Sequence, residues 1–232
     1  MKHDFAAPVG PGLRAFSFLG RVIKVIAYID GFNLYHAVKA TGARHHQWLN
    51  LRSLCEVFAP KSHFDIRNVY YFSAYATWLP DAFRRHREYV KALESCGVTA
   101  ILSQFKEKSR GCRSCGSRWI GHEEKETDVS IAVQMIDDAY RNQFDRALLI
   151  SADSDLAPPI RTVLERFPEK QIRIITPVDR NHSWALVNAA GGLKSAKKMS
   201  STHLDMSLLP NEVKDAKGNV VATRPISYVP PA

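Results

Sequence analysis

The sequence predicts an α/β fold: a three-layer α/β/α sandwich around a mostly parallel sheet of about five strands. Three observations carry that expectation. Short apolar runs, most of them rich in β-branched residues, recur at 22–29, 66–72, 98–105, 147–150 and 171–176, and these are strand lengths. Stretches with helical patterning separate them, and strand–helix alternation feeds a parallel sheet. Hydrophobic residues make up 45% of the 232, enough for one sizeable core.

Taken in order, residues 1–20 read as a loose leader. Pro8, Gly10, Pro11 and Gly12 break up its apolar patch, so it is not a secretory signal. The domain proper is expected over 21–192. The run at 22–29 (VIKVIAYI) is a central buried strand. It ends in Asp30-Gly31-Phe32-Asn33, where Gly31 permits a sharp turn and Asn33 suits the N-cap of the next helix. Asp30, last in a buried strand, has no such capping account. A short helix over 50–58 precedes the second strand. A long basic helix over 80–96 carries Arg84, Arg85, Arg87 and Lys91 and stops at Gly97. After the third strand, 106–122 reads as a charged, glycine-punctuated loop. The helix over 126–141 has a broad apolar arc of Val129, Ile131, Ala132, Val133, Met135, Ile136, Ala139 and Tyr140. Asp128 falls inside that arc, whereas Asp137 and Asp138 fall outside it, toward solvent. The fourth strand runs into Asp153-Ser154-Asp155, and the helix after it extends to 167. The fifth strand stops at Pro177, and a last helix over 183–190 stops at Gly191-Gly192. Residues 193–232 form a C-terminal tail, laid on the domain or partly disordered, with a small hairpin around Lys217-Gly218-Asn219.

The triplet Asp153-Ser154-Asp155 is too acidic for a cap alone. One cap needs one of the three, and Ser154 would serve. Two carboxylates at the exit of a buried strand repel each other unless a cation or hydrogen bonds compensate. Ligands in such sheets bind outside the carboxyl ends of the strands. Asp30 and the triplet occupy those ends, and Asp128 begins a helix at the same edge. Four carboxylates converging there call for a hard divalent cation, Mg²⁺ or Mn²⁺, which prefers oxygen ligands.

Lys and Arg number 32 against 23 Asp and Glu, a formal charge of +9, which points to an anionic partner, nucleic acid first, with a basic surface kept for solubility as the plain alternative. A basic chain with an acidic metal pocket points in turn to phosphodiester hydrolysis. Lys106, Lys108, Arg110, Arg113, Arg118 and Trp119 would overhang that pocket, the cations on phosphates and Trp119 on a base; a solvated charged loop is the plain alternative. Lys125 would reach phosphate or pair with a neighbouring carboxylate. Four cysteines are too few for a disulfide scaffold, so a reducing cytoplasm is expected. No run is long and apolar enough for a membrane span. Cys112 and Cys115 are half of a structural zinc site, with His122 as a third ligand and Cys96 as a distant fourth. A metal-free turn is the alternative.

Tyr28-Ile29-Asp30-Gly31-Phe32-Asn33-Leu34-Tyr35, Lys125-Glu126-Thr127-Asp128-Val129 and Ser151-Ala152-Asp153-Ser154-Asp155-Leu156 resemble the three signature blocks of NYN-domain proteins of the PIN-like nuclease superfamily. The resemblance covers 22–190 and is to bacterial members in which the domain stands alone. It implies a parallel sheet flanked by helices and a Mg²⁺- or Mn²⁺-dependent ribonuclease. By motif, Asp30, Asp128, Asp153 and Asp155 would be its acidic metal set, with Asn33 a polar residue beside them. The competing reading is a non-catalytic RNA-binding or regulatory module on the same fold. An aspartyl-phosphate phosphatase is set aside because Phe32 stands where its second Asp belongs, and no P-loop lysine motif is present. A homodimer is left open.

Overall fold

The computed structural model describes residues 22–230; the expected leader lies outside them. A seven-stranded sheet forms the middle layer. Its centre is β1 (Ile23–Asp30). Val25, Ala27 and Ile29 enter one core and Ile26 and Tyr28 the other, the period-two alternation of a strand buried on both faces. Helices α1 (Gly31–Ala40) and α2 (Leu51–Phe58) follow, then β2 (Phe64–Ala74) and α3 (Pro80–Ser95). Next come β3 (Thr99–Gly111), β4 (Arg118–Lys125) and α4 (Thr127–Tyr140). The chain continues through β5 (Arg146–Ile150), α5 (Ala157–Arg166), β6 (Gln171–Thr176), α6 (Trp184–Ala189), β7 (Ala196–Lys198) and α7 (Ser201–Asp205). Buried residues of α1, α2, α3 and α7 pack on one face of the sheet, and those of α4, α5 and α6 on the other.

The strand order is β4-β3-β2-β1-β5-β6-β7. All pairs are parallel except β3–β4. Chain order runs outward from β1 through β2 and β3 on one side and from β5 through β6 and β7 on the other. The reversal between β1 and β5 opens a crevice at their carboxyl ends, where Asp30 and the Asp153 turn stand.

Two expectations change here, and one is decided between its alternatives. The stretch 106–122 is largely strand, not loop. Its charges alternate along β3 and β4 and meet across the ladder, as Lys106 opposite Glu123 and Glu107 opposite His122 show; opposite charges facing each other support such a ribbon. Only Thr99–Ser103 of β3 pairs with β2, so the rest of β3 and all of β4 extend past the sheet as a two-stranded ribbon. Second, the C-terminal segment is laid on the domain. β7 adds to β6, and β8 (Glu212–Lys214) and β9 (Val220–Thr223) form the hairpin expected around Gly218. Val213, Ala222 and Tyr228 close a third core with Trp48 and Ala92. Third, the apolar arc of α4 is narrower than expected. Val129, Val133 and Tyr140 are more than 60% exposed, while Ile131, Met135 and Ala139 are buried. Asp138, expected in solvent, is buried and accepts the Tyr28 hydroxyl at 2.8 Å. It continues the 131–135 row at helical spacing, so a polar residue occupies the inner face there.

Candidate functional site

At the end of β1 the chain must turn at once into α1. Gly31 allows it by close approach: a Cβ there would lie 2.5 Å from the Phe72 carbonyl oxygen and 2.6 Å from the Tyr71 ring. Asp30, not Asn33, caps the helix, accepting the Asn33 N–H at 2.9 Å. Its other oxygen accepts the Ser151 hydroxyl at 2.9 Å. Asn33 is thereby freed, and its side-chain oxygen accepts the Ala152 N–H at 3.0 Å. These bonds tie the end of β1 to the turn after β5. Asp30 is 5% exposed. Burial pushes its carboxyl up, against the lowering effect of the Asn33 and Ser151 bonds.

The β5 turn is built in sequence from the same hydroxyl. Ser151 Oγ accepts the Asp153 N–H, and Asp153 Oδ1 accepts the Asp155 N–H, each at 3.0 Å. Asp153, rather than Ser154, is the cap of the short turn that leads to α5. On the third side, β4 returns from the ribbon and ends beside α4. Glu126 sits in the left-handed region at φ 80° and offers no cap. Glu124 does so instead, accepting the Thr127 N–H at 3.0 Å and the Thr127 hydroxyl. One residue on, Asp128 is half-buried. Burial, followed by the nearby charges of Asp153, Asp30, Glu124 and Asp155, raises its pKa to about 6.

These groups line a cleft of about 410 Å³ that includes Asp30, Asn33, Glu124, Asp128, Asp153 and Arg180. The structure therefore brings four of the five expected residues to one space. The fifth, Asp155, is exposed on the turn and is not among the lining residues, though its charge reaches Asp128. Glu124 and Arg180 were missed. Arg180 lies just past the carboxyl end of β6, so the strand-end rule that picked out Asp30 would have found it. Glu124 fell between the stretch read as loop, 106–122, and the helix expected from 126, where no element and so no inward face was assigned.

The expected basic overhang is differently placed. Residues paired across the ladder share a face. Lys106, Lys108, Arg110 and Lys125 share the face of Glu123, whereas Glu124 points the other way with Phe105. Lys108, Arg110 and Lys125 lie 2.9–3.0 Å from Glu123, so one carboxylate gathers three of the expected phosphate ligands. Arg113 and Arg118 are exposed at the ribbon tip, and Trp119 is 51% exposed. None of these lines the cleft. The expected zinc set also comes apart. His122 stacks on Trp78, rings 3.6 Å apart, well down the ribbon from Cys112 and Cys115.

The cleft donors fit a hard divalent cation. Apart from the His36 ring, the side-chain donors that line it are oxygens, most of them carboxylate, and their mutual repulsion shows in Asp128. Among the described residues, only His45, His46 and Asp205 bring three candidate ligand atoms within 4.8 Å of one another, and they join α7 to the α1–α2 connection. No three of the cleft carboxylates meet that distance, and a hard divalent ion that keeps several of its waters does not require them to.

A family model described as NYN domain matches residues 24–194. No curated protein matches the chain. A solved structure of a protein of unknown function from Vibrio parahaemolyticus is similar at 19% identity and a TM-score of 0.52, covering 81% of this chain and 97% of that one; this likeness speaks to the fold. No helix among the described residues is long and apolar enough to cross a membrane.

Proposed function

The chain belongs to the NYN-domain family, and from that premise we propose that it is a Mg²⁺- or Mn²⁺-dependent ribonuclease acting at the carboxylate cleft. The observation that carries the reading is the excess of acidic groups in that cleft in a chain of net charge +9. Four carboxylates line it, with Arg180 the lining Lys or Arg. A bound divalent ion would supply charge neutralisation at the phosphoryl oxygens and a lowered pKa for water. Asp30, Glu124, Asp128 and Asp153 would hold it. Asn33 and Ser151 keep the Asp30 and Asp153 carboxylates in register through the bonds across β1 and β5. Arg180, which lines the same cleft, would meet the phosphate of a bound substrate. The net positive charge draws the polyanion to the protein.

The test is cleavage of end-labelled RNA with Mg²⁺, with Mn²⁺ and with EDTA, by the wild type and by Asp153→Asn. Cleavage that needs the divalent ion and falls at least ~100-fold in the variant supports the reading. Equal rates in the two proteins would sink the site. RNA binding that persists in EDTA, with no cleavage under either ion, would replace the enzyme by a binding module.

A further inference from the structure

The ribbon tip holds chemistry that the cleft does not use. Cys112 and Cys115 are free thiols at the turn between β3 and β4. The turn is closed by two backbone bonds, Cys112 N–H to the Ser117 carbonyl at 2.8 Å and Gly116 N–H to the Cys112 carbonyl at 3.0 Å. Gly116 takes φ +71° with nothing near its missing Cβ, so the glycine serves the backbone and not the packing. Cys112 Sγ lies 3.1 Å from Ser114 Oγ, and Cys115 Sγ 3.1 Å from Ser117 Oγ. The hydroxyl of Ser114, then the backbone N–H groups of Cys115 and Ser114, bond the Cys112 sulfur and lower its pKa to about 6. N–H groups turned onto the Cys112 sulfur, with Cys115 three residues on in the same Cys-x-x-Cys-Gly turn, are the geometry of a sulfur ligand pair for a soft cation.

Among the described residues, nothing in the same chain completes the site. The last ladder pair is Gly111 with Arg118, and His122 pairs with Glu107. Four residues at ~3.3 Å each put His122 ~13 Å down the ribbon, out of reach of the tip. Cys55 is on the buried face of α2 and Cys96 follows α3. Among the described residues no third ligand joins the two thiols. Structural zinc takes four ligands, and the tip stands clear of the sheet.

We propose that Cys112 and Cys115 are half of a tetrahedral Cys₄ zinc site completed by the same two cysteines of a second copy of the chain, so that zinc joins two ribbons tip to tip. Each thiol releases its proton to solvent as the Zn–S bond forms. The arrangement is isologous, as a two-fold dimer requires. Four thiolates leave the zinc centre with a net negative charge. Arg113 and Arg118, exposed and in no ion pair among the described residues, supply compensating cations from both copies. Trp119 and Ile120, 51% and 62% exposed beside the tip, lie on opposite faces of the ribbon, so a ribbon packed on either face would cover one of them.

The experiment uses the full chain, stripped by chelator under a phosphine reductant and then given ZnCl₂. Light scattering should show the mass doubling on zinc addition, metal analysis one zinc per two chains, and zinc-edge absorption sulfur ligands alone at about 2.3 Å. The double variant Cys112→Ser/Cys115→Ser should stay monomeric with ZnCl₂ and keep the thermal transition of the metal-free wild type, which separates site loss from misfolding. One zinc per chain on a monomer, mixed nitrogen or oxygen coordination, or a dimer that forms without zinc or survives in the double variant would each overturn the proposal.

Discussion

Tyr28→Phe removes one oxygen from the middle of the sheet, and its cost follows from the bond it breaks. Tyr28 is fully buried, and its hydroxyl donates to Asp138 Oδ2 at 2.8 Å. Asp138 is 4% exposed, and the Gln134 amide also donates to it, at 3.2 Å. Burial raises the Asp138 carboxyl, and the Tyr28 bond is the leading effect holding it down. Deleting the hydroxyl leaves a buried carboxylate with one neutral partner. A lost hydrogen bond to a charged group costs ~1.5–3 kcal/mol, so a loss of ~2 kcal/mol is expected at neutral pH, or ~4–8 °C for a domain of this size. The assay is urea unfolding followed by circular dichroism, with an unchanged m-value. The cost should shrink as pH falls, because Asp138 then takes up a proton and the buried charge disappears. The double variant Tyr28→Phe/Asp138→Leu should recover part of the loss, since both polar partners are gone. A change below ~0.5 kcal/mol in Tyr28→Phe would refute the reasoning. The bond also joins α4 to β1, and with them Asp128 to Asp30.

Other perturbations reach the same framework. Glu124→Gln keeps an oxygen for the Thr127 N–H but removes a charge from the cleft; stability should change little, while half-maximal RNA cleavage should need several-fold more Mg²⁺, read from metal titrations. Gly31→Ala drives a methyl group toward the Phe72 carbonyl and the Tyr71 ring. It should cost ~1–3 kcal/mol in urea unfolding and reduce cleavage by shifting Asp30. His86, bonded to the Tyr71 hydroxyl at 3.0 Å, is held by burial at a pKa of about 4, below the ordinary 6.5. The native state therefore binds fewer protons than the unfolded one between these values. The stability this group contributes is present above pH 6.5 and lost as pH falls toward 4, and His86→Gln should flatten the pH dependence of the melting temperature over that window.

Periodicity made most of the fold legible. The five expected strands and the helices between them exist because buried strands must be short and apolar, and helices at a sheet face must repeat at 3.6 residues. The strands it missed are those with little apolar signal. β4 is stabilised by charges meeting across a ladder, and β7 is three residues, Ala196–Lys198, held by pairing to β6. A cross-strand pair has no signature in a single stretch of chain. The α4 arc misled for a related reason: it ran wider than one buried stripe, and only the neighbours of the helix choose which edge is covered. Val129 was left out, and Asp138 was taken in.

By itself, the sequence determined that Asp30, Asp128 and Asp153 stand at strand and helix ends on one edge of a parallel sheet. An acidic residue at the exit of a buried strand needs a reason that a surface residue does not. The tertiary structure decided which carboxylates share a cleft, placing Glu124 in it and Asp155 on the turn outside, because a ladder register fixes the facing of every second residue. It also decided that Asp30 caps α1 while Asn33 reaches across to Ala152, since hydrogen bonds between β1 and the β5 turn exist only once the two strands are neighbours. The same register drew Lys108, Arg110 and Lys125 onto Glu123, and it left Cys112 and Cys115 alone at the end of the ribbon.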